Sequence, residues 1–254
     1  MWDPQRYLAF ADERARPFRD LLVRVPAEAP AQVVDLGCGP GTLTGALKNR
    51  WPAARVVGVD SSAEMIAAAR AVPGIELIEA DVRTWRPDQP VDVLVSNATL
   101  QWVPGHLELL PGLVEWLSPD GWLAFQVPGN FGEPSHVLLH QVADSARWRD
   151  RVGAERVVRP SSHDPAEYLA VLAGLGCTVD AWETTYLQVL SGEDAVLDWV
   201  SGTALRPVLA VLDGSDRAEF LAEYGALLRQ AYPLRPYGTV LPYRRIFVVA
   251  RRNR

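Results

Sequence analysis

The chain has 254 residues, of which 48% are hydrophobic, and carries a formal net charge of −6. This is enough chain for one large domain with a full core, and the acidic balance disfavours nucleic acid, whose phosphates attract basic surfaces. No apolar run approaches the length of about 18 residues that a membrane span needs, and the first residues lack the apolar segment of a signal peptide. Cys38 and Cys177 form no disulfide framework or metal pattern. We therefore expect a cytoplasmic protein with free thiols.

The first predicted element is a helix over residues 4–24, with an apolar stripe that Pro17 interrupts. A short apolar strand over 32–36 follows, then a glycine-rich loop at 37–42 and a helix that ends before Pro52. Glycine lets a backbone turn with positive φ and lets a ligand approach closely. The start of the next helix offers bare N–H groups to such a ligand. This segment therefore predicts a nucleotide-type cofactor loop.

Strands and helices then alternate. Nearly continuous apolar strands indicate a parallel sheet that is buried on both faces, and the alternation predicts right-handed βαβ units. Ligands of such sheets bind beyond the carboxyl ends of the strands. The predicted strands of this half are 55–60, 75–81, 91–97 and 121–127, and the predicted helices are 63–71, which Ser61 or Ser62 caps, and 106–117.

The second half of the chain is less regular, and no Gly- or Ser-rich linker separates it from the first. We therefore predict a single domain with an N-terminal helical lid over 1–30, a cofactor-binding core over 31–127, and a helical cap from about 128–160 and 191–237. The predicted helices of this half are 134–148, 164–175, 193–200 and 215–232, and the predicted strands are 178–190 and 243–251.

The loop departs from the dinucleotide fingerprint G-x-G-x-x-G. Its third glycine, Gly41, comes one residue early, and Thr42 occupies the usual place. Asp35 precedes the first glycine, where a carboxylate would repel a pyrophosphate but pair with an ammonium group. These departures favour a cofactor with an amino-acid end over a dinucleotide. Asp60 fits a ribose in either class, and Asp81 is either an acceptor for an adenine amino group or a helix-cap or turn acid.

Several blocks resemble the successive motifs of class I S-adenosylmethionine-dependent methyltransferases, namely 35–41, Asp60, 79–81 and 96–102. Other blocks resemble the trans-aconitate 2-methyltransferase family in particular. Residues 149–161 match no motif. The more specific blocks cover nearly the whole chain and are residues 2–4, 7–8, 10–11, 13–14, 16–17, 126–130, 133–136, 184–186, 199–200, 205–207, 232–234 and 248–251.

The resemblance implies an α/β, Rossmann-like class I methyltransferase fold, with a mostly parallel seven-stranded sheet, an antiparallel last strand and a helical cap insertion. It implies in-line transfer of a methyl group from S-adenosylmethionine to a carboxylate of trans-aconitate, which gives a monomethyl ester. The alternatives are a methyltransferase for another small acid and a non-catalytic cofactor-binding protein. The residues predicted to bind the cofactor are Asp35, Gly37, Gly39, Gly41, Asp60, Ser61, Met65, Asp81, Val82, Asn97 and Gln101.

The chemistry needs no general base, because carboxyl groups with pKa values near ~4 are ionised at neutral pH. Proximity and alignment then supply catalysis. We accordingly predict no catalytic residue and no metal, and we do not assign a base role to His106, His136, His140 or His163, although His136 matches a family block.

A polycarboxylate acceptor needs cationic and hydroxyl donors, and the planar fork of arginine suits carboxylates. Arg206 and Arg244 are the first candidates for binding the carboxylates of the acceptor, and the weaker candidates are Arg16, Arg245 and Tyr237. Alternatively, any of these arginines is a solvated surface charge. Trp102 either meets the sulfonium by cation–π contact or packs in the core. One face of the first predicted helix carries Tyr7, Phe10 and Arg14 at spacings of one turn. This helix is either a lid that closes over the cofactor or a plain amphipathic helix packed on the sheet. We expect a monomer with a small-molecule polycarboxylate substrate and no nucleic-acid or membrane partner. The predicted substrate-binding residues are Tyr7, Arg14, Trp102, His136, Arg206, Tyr243 and Arg244.

Overall fold

The computed structural model describes residues 11–153 and 162–253, with side chains from residue 15 onward. The chain divides into two compact units, and each is treated by itself below. The sheet unit comprises Arg14–Pro128, Ser161–Thr184 and Arg245–Arg254, and the helical unit comprises Met1–Glu13, Gly129–Pro160 and Thr185–Arg244.

Seven strands form one sheet in the order β3-β2-β1-β4-β5-β7-β6. Neighbours from β3 to β5 pair in parallel, whereas β7 pairs antiparallel with β5. The predicted mostly parallel sheet with an antiparallel last strand is confirmed. The strands are β1 (Gln32–Leu36), β2 (Arg55–Asp60), β3 (Glu76–Glu79), β4 (Val91–Asn97), β5 (Leu117–Pro128), β6 (Cys177–Leu190) and β7 (Thr239–Arg252).

Helices follow most of the strands. Two short 3₁₀ helices, Leu100–Trp102 and His106–Leu109, lie between β4 and the next α-helix. The α-helices are α1 (Ala11–Val23), α2 (Thr42–Arg50), α3 (Ala63–Ala69), α4 (Leu110–Glu115), α5 (Pro134–Ala143), α6 (Arg149–Val152), α7 (Pro165–Gly174), α8 (Ala195–Ser201), α9 (Arg206–Leu209) and α10 (Gly214–Ala231).

The core of the sheet unit lies on the central strands. Every residue of β1 is buried, and Val34, Leu94 and Phe125 belong to one apolar cluster with Val248 of β7. Apolar side chains on both faces of a strand require cover on both faces, which is why β1 and β4 take the middle of the sheet. Their carboxyl ends therefore emerge from a well-packed base.

The helical unit has its own core, built mainly from α5, α8 and α10. Trp148 is fully buried and packs its ring edge-on against Phe220 of α10. Two tyrosine hydroxyls bracket the start of α5: Tyr224 donates to the carbonyl oxygen of Ser135 at 2.5 Å, and Tyr232 accepts from the Ser135 N–H at 3.0 Å. These bonds fix the first turn of α5 to α10.

Several predicted boundaries were wrong. The predicted helix at 106–117 begins as 3₁₀ and ends at Glu115, and α5 ends at Ala143 rather than near 148. Helix α1 includes Pro17 and ends at Val23, within one residue of the predicted end. Helix α9 was not predicted. Strand β7 begins at Thr239, four residues before the predicted start at Tyr243. Packing decides such ends more than local propensity does.

Within the described ranges 11–153 and 162–253, no helix combines the length and apolarity needed to cross a membrane. The same residues contain no group of three or more His, Cys, Asp or Glu side chains placed to hold a metal ion.

Candidate cofactor site at the carboxyl ends of the strands

The site lies where the strand order reverses. From β1 the chain continues to β2 on one side, and from β4 it continues to β5 on the other. A crevice at such a switch point is where open α/β sheets bind ligands. Side chains join the two strand ends: Ser96 donates to the carbonyl oxygen of Leu36 at 2.9 Å, and Thr99 donates to that of Gly37 at 3.4 Å.

The glycine loop adopts the predicted positive φ angles, at +78° for Gly37, +54° for Gly39 and +79° for Gly41. A Cβ at Gly37 would lie 2.0 Å from Oγ1 of Thr99, so this glycine is needed for packing. A Cβ at Gly39 would meet nothing within 4 Å. The loop therefore packs tightly at Gly37 and leaves open space beside Gly39, where a ligand can approach the backbone.

Asp35 is the buried acid of the site, with 2% of its surface exposed. Burial raises its pKa to about 6, because a charged carboxylate loses its hydration. A hydrogen bond from the Thr44 hydroxyl, at 2.7 Å, acts in the opposite direction, and the nearby charge of Asp60 adds a smaller rise. A cationic group bound here would be attracted by the ionised form.

Asp60 holds the loop against β2. Its Oδ2 accepts from the Gly39 N–H and its Oδ1 from the Ser62 N–H, each at 2.9 Å. Carboxylate oxygens have two lone pairs each, so both can also accept from ribose hydroxyls. Ser62, rather than Ser61, caps α3 by accepting from the N–H of Met65 at 3.3 Å. Ser61 is exposed.

Asp81 follows β3 and is paired with Arg83, whose Nη2 lies 2.5 Å from Oδ2. The hydrogen bonds from Arg83 lower the pKa of Asp81 to about 2. The carboxylate is therefore ionised and already accepts from a guanidinium, a partner that the sequence-based interpretation as an adenine acceptor did not include. Its neighbour Val82 is buried.

Gln101 lies on the 3₁₀ helix after β4, and 3% of its surface is exposed. Its Nε2 donates to the carbonyl oxygen of Ala98 at 2.6 Å, while its buried Oε1 accepts no hydrogen bond from a described residue. A buried acceptor without a donor is costly in a folded protein. Trp102, next in the chain, is 54% exposed, which argues against its packing in the core.

Gln126 lies in the block 126–130 that resembles the family, but it was not assigned a binding role; it joins two other predicted residues. Its Nε2 donates to Oδ1 of Asn97 at 2.5 Å, and its Oε1 accepts from Nη1 of Arg245 at 3.1 Å. Gln126 is 1% and Arg245 4% exposed. A lone amide within an otherwise apolar buried strand was the available signal, since buried polar groups have partners.

Comparison with known proteins decides the family. A family model described as a methyltransferase domain matches residues 33–121. The trans-aconitate 2-methyltransferase of Streptomyces avermitilis is 54% identical over 261 residues, covering 99% of this chain and 97% of the relative. The enzyme of the same name from Rhodococcus jostii is 53% identical, covering 98% of this chain and 99% of the relative.

The chain belongs to the trans-aconitate 2-methyltransferase family. Membership confirms the resemblance, the methyltransferase class and the S-adenosylmethionine cofactor that the sequence implied.

Solved structures agree on the fold of this family member. The YcgJ protein from Bacillus subtilis has a TM-score of 0.57 at 13% identity, covering 96% of this chain and 99% of that one. The plantazolicin methyltransferase BpumL, solved in complex with SAH, has a TM-score of 0.55 at 14% identity, covering 99% of this chain and 90% of that one. At these identities the likeness concerns the fold alone.

The described residues of this methyltransferase fit its cofactor. The open space beside Gly39 allows close approach to the loop, the buried Asp35 suits a cationic amino group, and the unpaired Oε1 of Gln101 offers an acceptor for a polar ligand atom. These features are what an amino-acid-bearing nucleoside requires of a site, and they lie in one unit of the methyltransferase.

The helical unit contains most of the residues predicted to bind the acceptor. His136 contacts Phe131 edge-on, and its burial together with the neighbouring His140 lowers its pKa to about 4. Nη1 of Arg244 donates to the carbonyl oxygen of Gly129 at 3.3 Å, and Tyr243 packs against Trp199. Arg206 is exposed at the start of α9.

Other predicted residues lie elsewhere or beyond description. Tyr7, Phe10 and the side chain of Arg14 fall outside the described residues. Arg16 pairs with Asp20 at 3.9 Å on the exposed side of α1, and Tyr237 is 67% exposed.

His106 is fully buried and lies 2.7 Å from the Tyr168 hydroxyl. Burial lowers its pKa, with a smaller effect from His163. Tyr168 of α7 also packs edge-on against Phe125 of β5, so this contact joins His106 to the core of the sheet unit.

Proposed function

We propose that the protein methylates a carboxylate of trans-aconitate, with S-adenosylmethionine as the methyl donor, and releases the monomethyl ester. The observation that carries the donor half is Asp35, a buried acid beneath a glycine loop at the switch point of the sheet. The acceptor half is supported by relatives about half identical in sequence over nearly the whole chain, which bear the name of this activity.

S-adenosylmethionine, when bound, supplies a methyl group already activated by a positively charged sulfur. The protein then has to bind and orient. Asp35 accepts hydrogen bonds from a cationic amino group, Asp60 accepts from ribose hydroxyls beside Gly39, and Gln101 offers Oε1 to a polar atom. The glycine loop provides backbone at close range. Each contact fixes the donor without proton transfer.

The acceptor needs no base, because its carboxylates are ionised above about pH 5. Alignment of two bound groups can supply roughly 7–11 kcal/mol of rate enhancement. We propose Arg206 and Arg244 as cationic partners for the carboxylates that are not methylated, since guanidinium groups pair with carboxylates in two-point contacts. Tyr243 and a neutral His136 would add hydrogen-bond donors, and Trp102 an exposed aromatic face.

A panel of acids tests the proposal. Purified protein is incubated with methyl-labelled S-adenosylmethionine and trans-aconitate, cis-aconitate, citrate, isocitrate or a monocarboxylate, and each product ester is identified by mass. We expect the highest kcat/KM for trans-aconitate. A higher value for another acid would reassign the acceptor, and tight cofactor binding without transfer to any acid would contradict enzymatic function.

We also propose a monomer in a reducing cytoplasm without a nucleic-acid partner. Both cysteines are free and buried, as in compartments that keep thiols reduced, and the net charge of −6 repels phosphates. Light scattering coupled to size exclusion checks the mass against 28.0 kDa. A stable dimer at micromolar concentration would contradict the monomer.

A further inference from the structure

Three polar side chains from three strands are joined by hydrogen bonds into one series within the sheet unit. They are Asn97 at the end of β4, Gln126 near the end of β5 and Arg245 on β7. Asn97 stands beside Gln126 in the parallel register, and Arg245 stands opposite Pro128, two residues beyond Gln126. Residues two apart on a strand share a face, and a long side chain reaches a diagonal neighbour. The register therefore brings all three groups together.

The chemistry of the three groups decides which of them donates and which accepts in each hydrogen bond of this series. A guanidinium has only donors, so the group that faces Arg245 must be the oxygen of Gln126. The other end of the same amide is then its NH₂, which can only donate, and it faces Asn97. Asn97 must therefore accept this hydrogen bond with its side-chain oxygen, Oδ1. The distances of 3.1 and 2.5 Å fit this assignment.

One hydrogen-bonding end of Asn97 remains, its Nδ2. Asparagine by itself can turn either end of its amide toward a ligand, because the two ends differ little in shape. Here the buried guanidinium of Arg245 fixes the orientation of the Gln126 amide, and the Gln126 amide in turn fixes the orientation of the Asn97 amide. The side chain of Asn97 is half-buried, whereas Gln126 and Arg245 are almost fully buried. The two buried residues thus serve to orient the more exposed one.

We propose that Arg245 and Gln126 are positioning residues, which hold Asn97 as an obligate hydrogen-bond donor to a bound carboxylate. Asn97 ends β4 beside β1, at the switch point where the cofactor loop lies. The inference rests on the proposed function, which brings two carboxylates to this enzyme: one on the acceptor acid and one on the amino-acid end of the cofactor. The two share the same chemistry as acceptors.

Gln126→Glu is the decisive variant, because it keeps the shape and reverses the direction. A glutamate offers oxygens to both Arg245 and Asn97, so Asn97 has to turn its NH₂ inward and present its oxygen to the ligand. An oxygen facing a carboxylate repels it. Gln89→Glu, which adds the same charge at an exposed position, is the matched control.

Calorimetry then measures three dissociation constants: for S-adenosylhomocysteine, for 5′-methylthioadenosine, which lacks the amino-acid end, and for trans-aconitate added to protein saturated with S-adenosylhomocysteine. In Gln126→Glu we expect at least tenfold weaker binding of trans-aconitate, or of S-adenosylhomocysteine relative to 5′-methylthioadenosine. The first result identifies the acceptor carboxylate as the partner of Asn97 and the second the cofactor carboxylate.

The same substitution in an Asn97→Ala background separates orientation from charge. If Gln126 acts through Asn97, its penalty shrinks to less than twofold there. Three results would overturn the inference. The first is a loss of affinity that persists in the Asn97→Ala background, and the second is no loss of affinity at all. The third is an equal loss for S-adenosylhomocysteine and 5′-methylthioadenosine while trans-aconitate binding is unaffected.

A second pair of variants covers the case in which Gln126→Glu does not fold. Arg245→Lys keeps a donor-only cation and should retain the dissociation constants within about threefold, whereas Arg245→Met should show the carboxylate-specific loss. Equal effects of the two variants would contradict the positioning role. Failure of methyl transfer to every acid would count against the proposed function, while the comparison of S-adenosylhomocysteine with 5′-methylthioadenosine would still test Asn97.

Discussion

The hydroxyl of Thr44, in the first turn of α2, lies 2.7 Å from a carboxylate oxygen of Asp35 in the adjoining strand β1. The bond spans the glycine loop and ties its two ends together. It also stabilises the charged form of an acid that burial would otherwise keep neutral, and the pKa of Asp35 settles at about 6. The acid is therefore largely ionised at neutral pH and remains sensitive to a cationic ligand.

Asp35→Asn should weaken binding of S-adenosylhomocysteine about 10–100-fold, because hydrogen bonds to charged groups contribute roughly 1.5–3 kcal/mol. Calorimetry measures the loss. Binding of 5′-methylthioadenosine, which has no amino group, should change far less. Asp88→Asn, an exposed acid paired with Arg55, is the control. Equal losses for both ligands would mean that Asp35 shapes the loop rather than binding an ammonium group.

The affinity for S-adenosylhomocysteine should fall as pH drops below about 6, since protonated Asp35 no longer attracts an ammonium group. The stability of the free protein should respond with the opposite sign. A pKa raised above the ordinary aspartate value of 3.8 means that, between these two values, the folded state holds a proton that the unfolded state has released. This contribution to stability is complete below about pH 4 and lost as pH rises through 6.

Both trends are measured as differences between the wild type and Asp35→Asn from pH 4 to 8, by calorimetry for binding and urea unfolding for stability. The difference removes the titration of other groups. Parallel curves for the two proteins would contradict a pKa near 6.

Gly37→Ala and Gly39→Ala should separate folding from binding. At Gly37 the new Cβ would lie 2.0 Å from Oγ1 of Thr99, so we expect a loss of several kcal/mol in unfolding free energy. At Gly39 the Cβ meets open space, and the positive φ costs roughly 1–2 kcal/mol. Cofactor affinity should nevertheless fall at least tenfold, because the methyl group occupies the ligand's approach. Thermal melting and calorimetry report the two effects.

Tyr232→Phe should destabilise the protein by about 1–3 kcal/mol, because it leaves the buried N–H of Ser135, in the first turn of α5, without its acceptor. Tyr224→Phe should cost about 0.5–1.5 kcal/mol, because the Ser135 carbonyl loses one hydrogen bond but keeps its helical one. Urea unfolding measures the change. Tyr237→Phe removes a hydroxyl from a side chain that is 67% exposed and should have no measurable effect. A neutral result for both buried tyrosines would show that other contacts hold the start of α5.

Arg206→Ala and Arg244→Ala should raise KM for trans-aconitate at least tenfold while leaving KM for S-adenosylmethionine within about twofold, because a lost two-point contact to a carboxylate affects only the acceptor. Arg217→Ala, an exposed arginine of α10, is the control. Steady-state kinetics with each substrate varied in turn makes the comparison. Equal rises in both KM values would assign the arginine a structural role.

Much of the cofactor site could be predicted from sequence because its residues follow local rules. Asp35, Gly37 and Gly39 occupy one turn between a strand and a helix, and their φ angles agree with expectation. The bond from Thr44 could not be predicted, since a threonine in a helix gives no sign of its partner. The pairing of Asp81 with Arg83 was overlooked although the two are neighbours in sequence.

The sequence by itself determined the alternation of strands and helices in the first half of the chain, the glycine loop, the acids at the strand ends and the family, since each depends on neighbouring residues or on motifs. Only the tertiary structure decided the partners of buried polar groups. Asn97, Gln126 and Arg245 meet because β5 lies between β4 and β7 in the sheet. Local propensity does not specify which distant strands pair or in what register, whereas burial forces each polar group there to find a partner.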